Sequence, residues 1–143
     1  MNYGFIGLGN MAGAILAGMH GSGEFSGDKI YGFNRSEGKT LALKDSIGLI
    51  PCASASEVVN NADVVVLAVK PQMMPKVLDE IAGLVKPAQT VMSIAAGLPL
   101  SRYEERFARG VPVVRIMPNI NAKVKAAVVA VCGGKYEIGR AHV

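Results

Sequence analysis

The sequence is short of cysteine, of charged and aromatic side chains and of long apolar runs, and each shortage excludes a class of protein. Its two cysteines, Cys52 and Cys132, form no CxxC pair, which argues against both a zinc site and a disulfide framework. Only 18% of the 143 residues are charged and 50% are apolar, so a disordered chain is excluded. Apolar runs such as 64–69 are far below the ~18 residues of a membrane-spanning helix. We therefore expect a cytoplasmic protein of one domain, with neither a signal peptide nor a membrane partner.

Positive charge is concentrated near the end of the chain. Residues 1–105 hold eight basic and ten acidic side chains, whereas residues 106–143 hold seven basic and one acidic. A basic segment is one signature of nucleic-acid binding, but the chain has no run of five basic residues and little aromatic interleaving. We therefore expect no nucleic-acid partner; the alternative, a nucleic-acid binder that uses residues 106–135, requires binding that weakens with salt.

Glycine is in excess, and strands alternate with helices along the chain. Eight of the 17 glycines lie in the first 27 residues, which indicates a local need for tight backbone. Short β-rich runs predict strands over 3–6, 29–33, 49–50, 64–69, 90–94, 111–117 and 124–132; helical spacing predicts helices over 10–20, 36–46, 54–61, 71–85 and 101–108. The alternation predicts an α/β fold, a Rossmann-type doubly wound, mostly parallel sheet with helices on both faces. We assign this domain to residues 1–133; the tail 134–143 continues no pattern and is either natural coil or a cloning remnant.

Three helix starts carry recognisable signals. Ser54 with Glu57, and Ser101 with Glu104, have the capping-box spacing at which each side chain satisfies a backbone N–H of the other residue. Pro71 suits the first position of a helix, where its missing N–H costs nothing.

The first candidate site is the motif Gly7-Leu8-Gly9-Asn10-Met11-Ala12, which follows a strand and opens a helix. In that context G-x-G-x-x-A is typical of a dinucleotide site. Gly7 allows the tight turn, Gly9 lets a pyrophosphate approach the backbone, and Ala12 lets the helix pack close to the sheet. The helix N-terminus adds unpaired N–H groups and partial positive charge for the phosphates.

The second candidate site is Asn34-Arg35-Ser36, which follows the second strand. A site selective for NAD usually has Asp or Glu here to bond the ribose 2′-hydroxyl, and no acid occurs at 33–36. Arginine with small hydroxyl and amide donors suits a 2′-phosphate instead. The motif therefore favours NADPH, with NADH as the alternative.

Three further strand ends carry small or polar residues. They are Ala68-Val69-Lys70-Pro71, the run from Ser93 through Ala95 and Ala96 to Gly97, and Met117-Pro118-Asn119. Ligands of an open α/β sheet bind outside the carboxyl ends of its strands, so we expect all these motifs to lie on one rim.

Together these motifs make the chain resemble the N-terminal half of pyrroline-5-carboxylate reductases. The matching segments are FIGLGNMA at 5–12, NRS at 34–36, LAVKPQ at 67–72, SIAAG at 93–97 and RIMPN at 115–119. The resemblance implies reduction of 1-pyrroline-5-carboxylate to L-proline, the last step of proline biosynthesis, with hydride supplied by NADPH or, in some members, NADH. It implies cofactor contacts at Gly7, Leu8, Gly9, Asn10, Met11, Ala12, Asn34, Arg35, Ser36, Ala68, Val69, Lys70, Pro71, Ala95, Ala96 and Asn119.

The same resemblance leaves the catalytic residues outside this chain. Lys70 and Asn119 are expected near the reacting end, and no metal is implied. The family continues into a helical domain that forms a homodimer or larger homo-oligomer and holds the substrate carboxylate. That domain is absent from this sequence, so we expect the chain alone to bind cofactor and to turn over little substrate.

Two departures from the family pattern concern the site. Ala55 stands where many members have asparagine near the adenine, and Ile120-Asn121 replaces the Thr-Pro that usually follows the last motif. Two other functions stay open at this point. One is a reductase of the same superfamily that acts on a hydroxy acid or another imine, and the other is a non-catalytic dinucleotide-binding regulatory module.

Overall fold

The fold is an alternation of strands and helices, seen in a computed structural model that describes residues 1–23, 25–95 and 99–116. The strands of these ranges are β1 (Asn2–Ile6), β2 (Lys29–Phe33), β3 (Ile50–Pro51), β4 (Val64–Leu67), β5 (Thr90–Ser93) and β6 (Val113–Arg115). The helices are α1 (Asn10–Ser22), α2 (Glu37–Ile47), α3 (Ala55–Asn61), α4 (Met74–Ile81) and α5 (Leu100–Glu104), with a 3₁₀ turn at Pro71–Met73 before α4. None of these helices is both long and apolar enough to cross a bilayer.

The six described strands form one sheet in the order β3-β2-β1-β4-β5-β6, and every pairing in it is parallel. This confirms the predicted Rossmann-type α/β fold. The chain order reverses between β1 and β4, which makes their carboxyl ends the switch point where such sheets bind ligands. Because neighbouring strands are in register, their last residues form one row: Phe33, Ile6, Leu67, Ser93 and Arg115.

Both faces of the sheet are covered, and β4 shows why. Val64 and Val66 pack into a cluster with residues of α1, while Val65 and Leu67 pack into a second cluster with residues of α3 and α4. All four side chains are 2% exposed or less. A continuous apolar run is what a strand buried on both faces requires, as the sequence predicted for this segment.

The helical segment predicted over 71–85 begins at the predicted Pro71, but its first turn is the 3₁₀ turn Pro71–Met73. The α-helix that follows ends at Ile81 rather than at 85. Pro75 has no N–H to donate to the Pro71 carbonyl, so an α-helical ladder cannot run through this turn. The Met74 N–H bonds the Pro71 carbonyl instead. After Ile81 the chain passes Gly83, and Val85 returns to the core at 3% exposure.

Of the two predicted capping boxes, one forms in part and the other is wrong. Ser54 Oγ accepts from the Glu57 N–H at 3.2 Å, but the Glu57 carboxylate accepts from the Ala53 N–H at 2.8 Å rather than from Ser54. α5 begins one residue before Ser101, with Pro99 as its N-cap, and ends at Glu104 rather than near 108. Proline already has the backbone φ of a helix start, so it displaces the serine from the capping position.

β2 occupies the predicted residues 29–33, and the other strand predictions differ by a few residues or lie outside the described ranges. β4 and β6 are shorter than the predicted 64–69 and 111–117. Ala68 has left the strand, yet its N–H still bonds the Ile6 carbonyl at 2.8 Å. The predicted strand over 124–132 and the tail 134–143 lie outside the described residues.

Candidate functional site

A cleft of about 410 Å³ opens at the carboxyl ends of β1, β2 and β4, at the switch point of the sheet. We call it the switch-point cleft. Its lining consists of Ile6, Gly7, Leu8, Gly9, Phe33, Asn34, Arg35, Lys39, Ala68, Val69, Lys70, Gln72, Met73 and Val77. Three predicted motifs, from three separate strand ends, therefore meet around one space.

Gly7 is required by the geometry of the turn that forms the floor of the cleft. Its φ is +94°, a conformation that side-chain-bearing residues rarely adopt. A Cβ at this position would lie 2.8 Å from the carbonyl carbon and oxygen of Ala68 and from the Val69 nitrogen. The Gly7 N–H bonds the Phe33 carbonyl at 2.8 Å, so the turn is tied to both β2 and β4.

The N-terminus of α1 lies at the cleft, since its N-cap residue, Gly9, is part of the lining. Gly9 is the N-cap, no side chain caps the helix, and its first turn holds no acidic residue. A Cβ on Gly9 would meet no atom of the described residues within 4 Å, so this part of the structure leaves open space above the backbone. N–H groups and the helix dipole favour an anion there, as predicted for a pyrophosphate.

Asn34 lines the cleft and also stabilises the glycine turn through two hydrogen bonds. Its Oδ1 accepts from the Leu8 N–H at 3.0 Å, and its Nδ2 donates to the Ser36 carbonyl at 3.1 Å. The side chain therefore links the turn after β1 to the turn after β2. Its predicted contact with the cofactor stays a prediction.

Among the residues that the structure describes, the lining of the cleft includes three cations, Arg35, Lys39 and Lys70, and no carboxylate. All three are exposed, so they are available to a ligand from solvent. Arg35 lies at the end of β2 and places Nη1 3.8 Å from the sulfur of Met73, across the cleft. A site with this charge selects anions, and a carboxylate partner for a ribose 2′-hydroxyl is missing from the lining.

A second cavity of about 600 Å³ adjoins the cleft beside Arg35. It lies between β2, α2 and the loop after β3, and shares Phe33, Asn34 and Arg35 with the switch-point cleft. Cys52 is part of its lining. Burial and the nearby Glu57 carboxylate raise the pKa of the Cys52 thiol, so this thiol stays protonated at neutral pH and is a poor nucleophile.

Several predicted site residues do not line the switch-point cleft. Ala12 and Ala95 are buried in the two core clusters, at 1% and 5% exposure. Asn10, Met11, Ser36 and Pro71 lie beside the cleft motifs in sequence without contributing to its lining. Ala96 and Asn119 lie outside the described residues.

Sequence reasoning missed six lining residues: Ile6, Phe33, Lys39, Gln72, Met73 and Val77. Lys39 had a usable signal, because it follows Arg35 by four residues in the first turn of α2. Met73 and Val77 had none, since two apolar residues four apart are ordinary in a helix. Among the residues that the structure describes, no group of three His, Cys, Asp or Glu side chains could hold a metal.

The chain matches a known family model over most of its described length. That model is described as NADP oxidoreductase, coenzyme F420-dependent, and it matches residues 2–97. The chain belongs to this family. The match covers all the elements that form the switch-point cleft, from β1 to β5.

Within this NADP oxidoreductase family, the chain is similar to pyrroline-5-carboxylate reductases. The enzyme of Escherichia coli is 40% identical over 128 residues, which are 90% of this chain and 48% of the relative. The enzyme of Methanosarcina acetivorans is 36% identical over 132 residues. The solved structure of the Coxiella burnetii enzyme superposes with a TM-score of 0.75 at 34% identity, over 82% of this chain and 44% of that one. The resemblance stated from the motifs is confirmed, and the chain spans about half the length of the curated relatives it matches.

Proposed function

We propose that the switch-point cleft binds NADPH and that this chain is the cofactor-binding half of an enzyme that reduces 1-pyrroline-5-carboxylate to L-proline. The observation that carries the first half of the proposal is the lining of the cleft, which opens at an uncapped helix N-terminus. Within the described part of the chain, this lining holds three cations and no carboxylate. The resemblance to pyrroline-5-carboxylate reductases supports the second half.

The residues around the cleft fit the parts of this cofactor in order. The N–H groups at the start of α1 would hold the pyrophosphate above Gly9, where no Cβ intrudes. Arg35 and Lys39 would hold the 2′-phosphate with charged hydrogen bonds. The adjoining cavity that contains Cys52 offers room for the adenine. Lys70, at the other side of the cleft, would hold a ribose or phosphate oxygen toward the reacting end.

The bound cofactor would supply a hydride, and the residues of this chain would position it. Gly7 and Asn34 hold the turn on which the phosphates would rest. Ala68 and Val69 form the apolar wall after β4, and the start of the loop after β5 includes Ala95. We also propose that Ala96 and Asn119 contact the cofactor. Fixed geometry of this kind is the protein's main contribution to cofactor-dependent reactions.

The rest of the enzyme belongs to the proposal as well. We propose that residues 1–133 form the cofactor domain and that a separate helical domain of the whole protein forms the homo-oligomer and binds the substrate carboxylate. We place the enzyme in the cytoplasm, where free thiols such as Cys52 persist.

Replacement of Arg35 tests the cofactor half of the proposal. We expect Arg35→Ala to weaken NADPH binding by about 1.5–3 kcal/mol, the range of a charged hydrogen bond, and to leave NADH binding nearly unchanged. Titration of cofactor fluorescence measures both affinities. The matched control is Lys44→Ala, an exposed cation of α2 that does not line the cleft. Equal losses for the two cofactors would contradict the assignment of the 2′-phosphate to Arg35.

Turnover tests the substrate half. We expect the 143-residue chain, mixed with NADPH and pyrroline-5-carboxylate, to form no proline at an enzymatic rate, whereas the whole protein oxidises NADPH only when that substrate is present. Proline formation by the chain alone at ~1–10³ s⁻¹ would contradict the division of labour. A whole protein that ignores the substrate would contradict the assigned reaction.

A second candidate follows from the family description, which names coenzyme F420. Hydride exchange between NADP and reduced F420 would use the same cleft. The curated relatives at 36–40% identity favour the imine substrate. The whole protein incubated with NADP and reduced F420 distinguishes the two, since formation of NADPH indicates the second reaction.

A further inference from the structure

Two hydroxyl groups are buried together where β5 ends, and the proposed function uses neither. The Ser93 Oγ and the Tyr103 hydroxyl lie 2.6 Å apart, and both residues are 0% exposed. The ring of Tyr103 belongs to the hydrophobic cluster that includes residues of α3 and α4. A buried hydroxyl costs stability unless it is bonded, so each of these groups depends on the other.

Ser93 is placed where the chain leaves the sheet. It is the last residue of β5 and lies in register between Leu67 of β4 and Arg115 of β6. Its carbonyl accepts from the Ile116 N–H at 2.8 Å, and the Ile94 N–H bonds the Leu67 carbonyl at 3.1 Å. The next N–H along the chain, that of Ala95, donates to the Ser93 Oγ at 3.3 Å. The rotamer of Ser93 therefore influences the direction of the backbone at Ala95.

The hydroxyl pair is tied to the backbone through Ser93. Either hydroxyl can donate in the bond between Ser93 and Tyr103, and the Ser93 Oγ also accepts from the Ala95 N–H. Burial raises the pKa of Tyr103, while the bond to Ser93 and the charge of Arg115 lower it. Ser93 therefore links the Tyr103 hydroxyl to the Ala95 amide.

The end of β5 is on the side of the switch point that a dinucleotide must reach. Arg35 and Lys39 stand at the end of β2, and the N-terminus of α1 follows β1. A ligand with its 2′-phosphate and pyrophosphate at those two points extends across the strand ends toward β4 and β5. Its second half therefore comes to the side where Ala95 begins the loop after β5.

We propose that Tyr103 is a positioning residue, which through Ser93 holds the Ala95 amide and so the part of the rim that meets the nicotinamide half of the dinucleotide. The inference rests on the proposed cofactor site and deepens it. Packing alone does not require the hydroxyl, since a phenyl ring fills nearly the same space. A role limited to packing α5 against the sheet would affect both halves of a bound dinucleotide alike.

Two ligands allow the contributions of the two halves of the site to be measured separately. NADPH has both halves, whereas 2′,5′-ADP has the adenosine end with its 2′-phosphate and lacks the nicotinamide. We expect Tyr103→Phe to weaken NADPH about threefold to tenfold, the range of one neutral hydrogen bond, and to leave the affinity for 2′,5′-ADP within about twofold. Both affinities are measured by calorimetry on the 143-residue chain.

Two further variants show whether the effect passes through Ser93. We expect Ser93→Ala to produce a similar loss for NADPH, and the double variant to lose no more than either single one, because the two hydroxyl groups act as one unit. Phe107→Leu is the packing control, since Phe107 lies in the same cluster at 7% exposure. It should lower the melting temperature and leave the ratio of the two affinities unchanged.

The outcomes distinguish this inference from the proposed function. A wild-type chain that binds neither ligand would overturn both. If the wild-type chain binds both ligands and Tyr103→Phe changes the two affinities equally, or changes neither, only the positioning role is overturned. An NADPH loss that is additive in the double variant would show that Tyr103 and Ser93 act separately, and this would overturn the route through Ser93.

Discussion

The two glycines Gly7 and Gly9 of the switch-point cleft differ in what their backbone requires. Gly7 has a positive φ and no room for a Cβ, whereas Gly9 has φ −74° and no described atom within 4 Å of a Cβ built on it. The fold therefore requires glycine at position 7, whereas at position 9 the proposed pyrophosphate is the reason for a glycine. This distinction makes the glycine turn testable residue by residue.

We expect Gly7→Ala to destabilise the fold by about 1–3 kcal/mol, because the added Cβ meets backbone atoms and the left-handed conformation is strained. The matched variant Gly9→Ala should leave the free energy of unfolding within about 0.5 kcal/mol and should abolish most NADPH binding. Urea unfolding and a cofactor titration measure the two effects. A Gly9→Ala variant that binds NADPH as the wild type does would show that the phosphates lie elsewhere.

The residues that sequence reasoning found are those whose chemistry is local. Gly7, Gly9 and Arg35 each follow a strand within a short motif, so their neighbours in space are also neighbours in sequence. Lys39 was missed although it lies one helical turn after Arg35. The bracing role of Asn34 could not be predicted, because it depends on the distance from its Oδ1 to an N–H 26 residues earlier.

At the scale of the element, one side chain caps the C-terminal end of α3 by bonding its last carbonyl groups. Gln89 lies just before β5, and its Nε2 donates to the carbonyls of Val59 and Ala62 at 2.7 Å each. Its Oε1 accepts from the Lys86 N–H at 2.9 Å. The last carbonyls of a helix have no partner within the helix, so Gln89 satisfies them and ties α3 to the strand that follows α4.

We expect Gln89→Ala to lower the free energy of unfolding by about 1–3 kcal/mol, because partly buried carbonyls lose their donors. Asn61→Ala is the control, since its exposed amide also bonds a carbonyl of α3, that of Glu57 at 2.8 Å. That variant should cost about 0.5 kcal/mol or less. Denaturant titrations of the two variants give both values, and equal losses would contradict a capping role for Gln89.

Element boundaries were predicted well where one signal acted and poorly where two competed. β2 occupies the predicted residues 29–33 and α3 ends at the predicted Asn61. The helix start near Ser101 was wrong because Pro99, two residues earlier, provides a stronger start. The helix after β4 begins at the predicted Pro71, but its first turn is 3₁₀ because Pro75 interrupts the α-helical hydrogen-bond ladder four residues later. Pattern alone does not rank such competing signals.

At the scale of the whole molecule, the alternation of strands and helices was enough to predict the sheet and the rim on which the motifs meet. The parallel connections and the switch point follow from general rules of such sheets. The cavity beside Arg35 was not predictable, since its lining comes from β2, α2 and the loop after β3, and no local pattern indicates the space between them.

At this scale, the distribution of charged side chains also agrees with the proposed anionic ligand. The first 105 residues carry a slight excess of acidic side chains, yet the charged residues that the structure describes in the lining of the switch-point cleft are all cations. This local reversal of sign is the clearest indication of an anionic ligand with a phosphate at the end of β2.

Calorimetric titration of the wild-type chain with NADPH and with NADH, in one buffer, tests this central claim most directly. Because only NADPH carries the 2′-phosphate that Arg35 and Lys39 would hold, we expect it to bind about 10 to 100 times more tightly, the equivalent of a charged hydrogen bond. Equal affinities for the two cofactors, or no binding of either, would contradict the account.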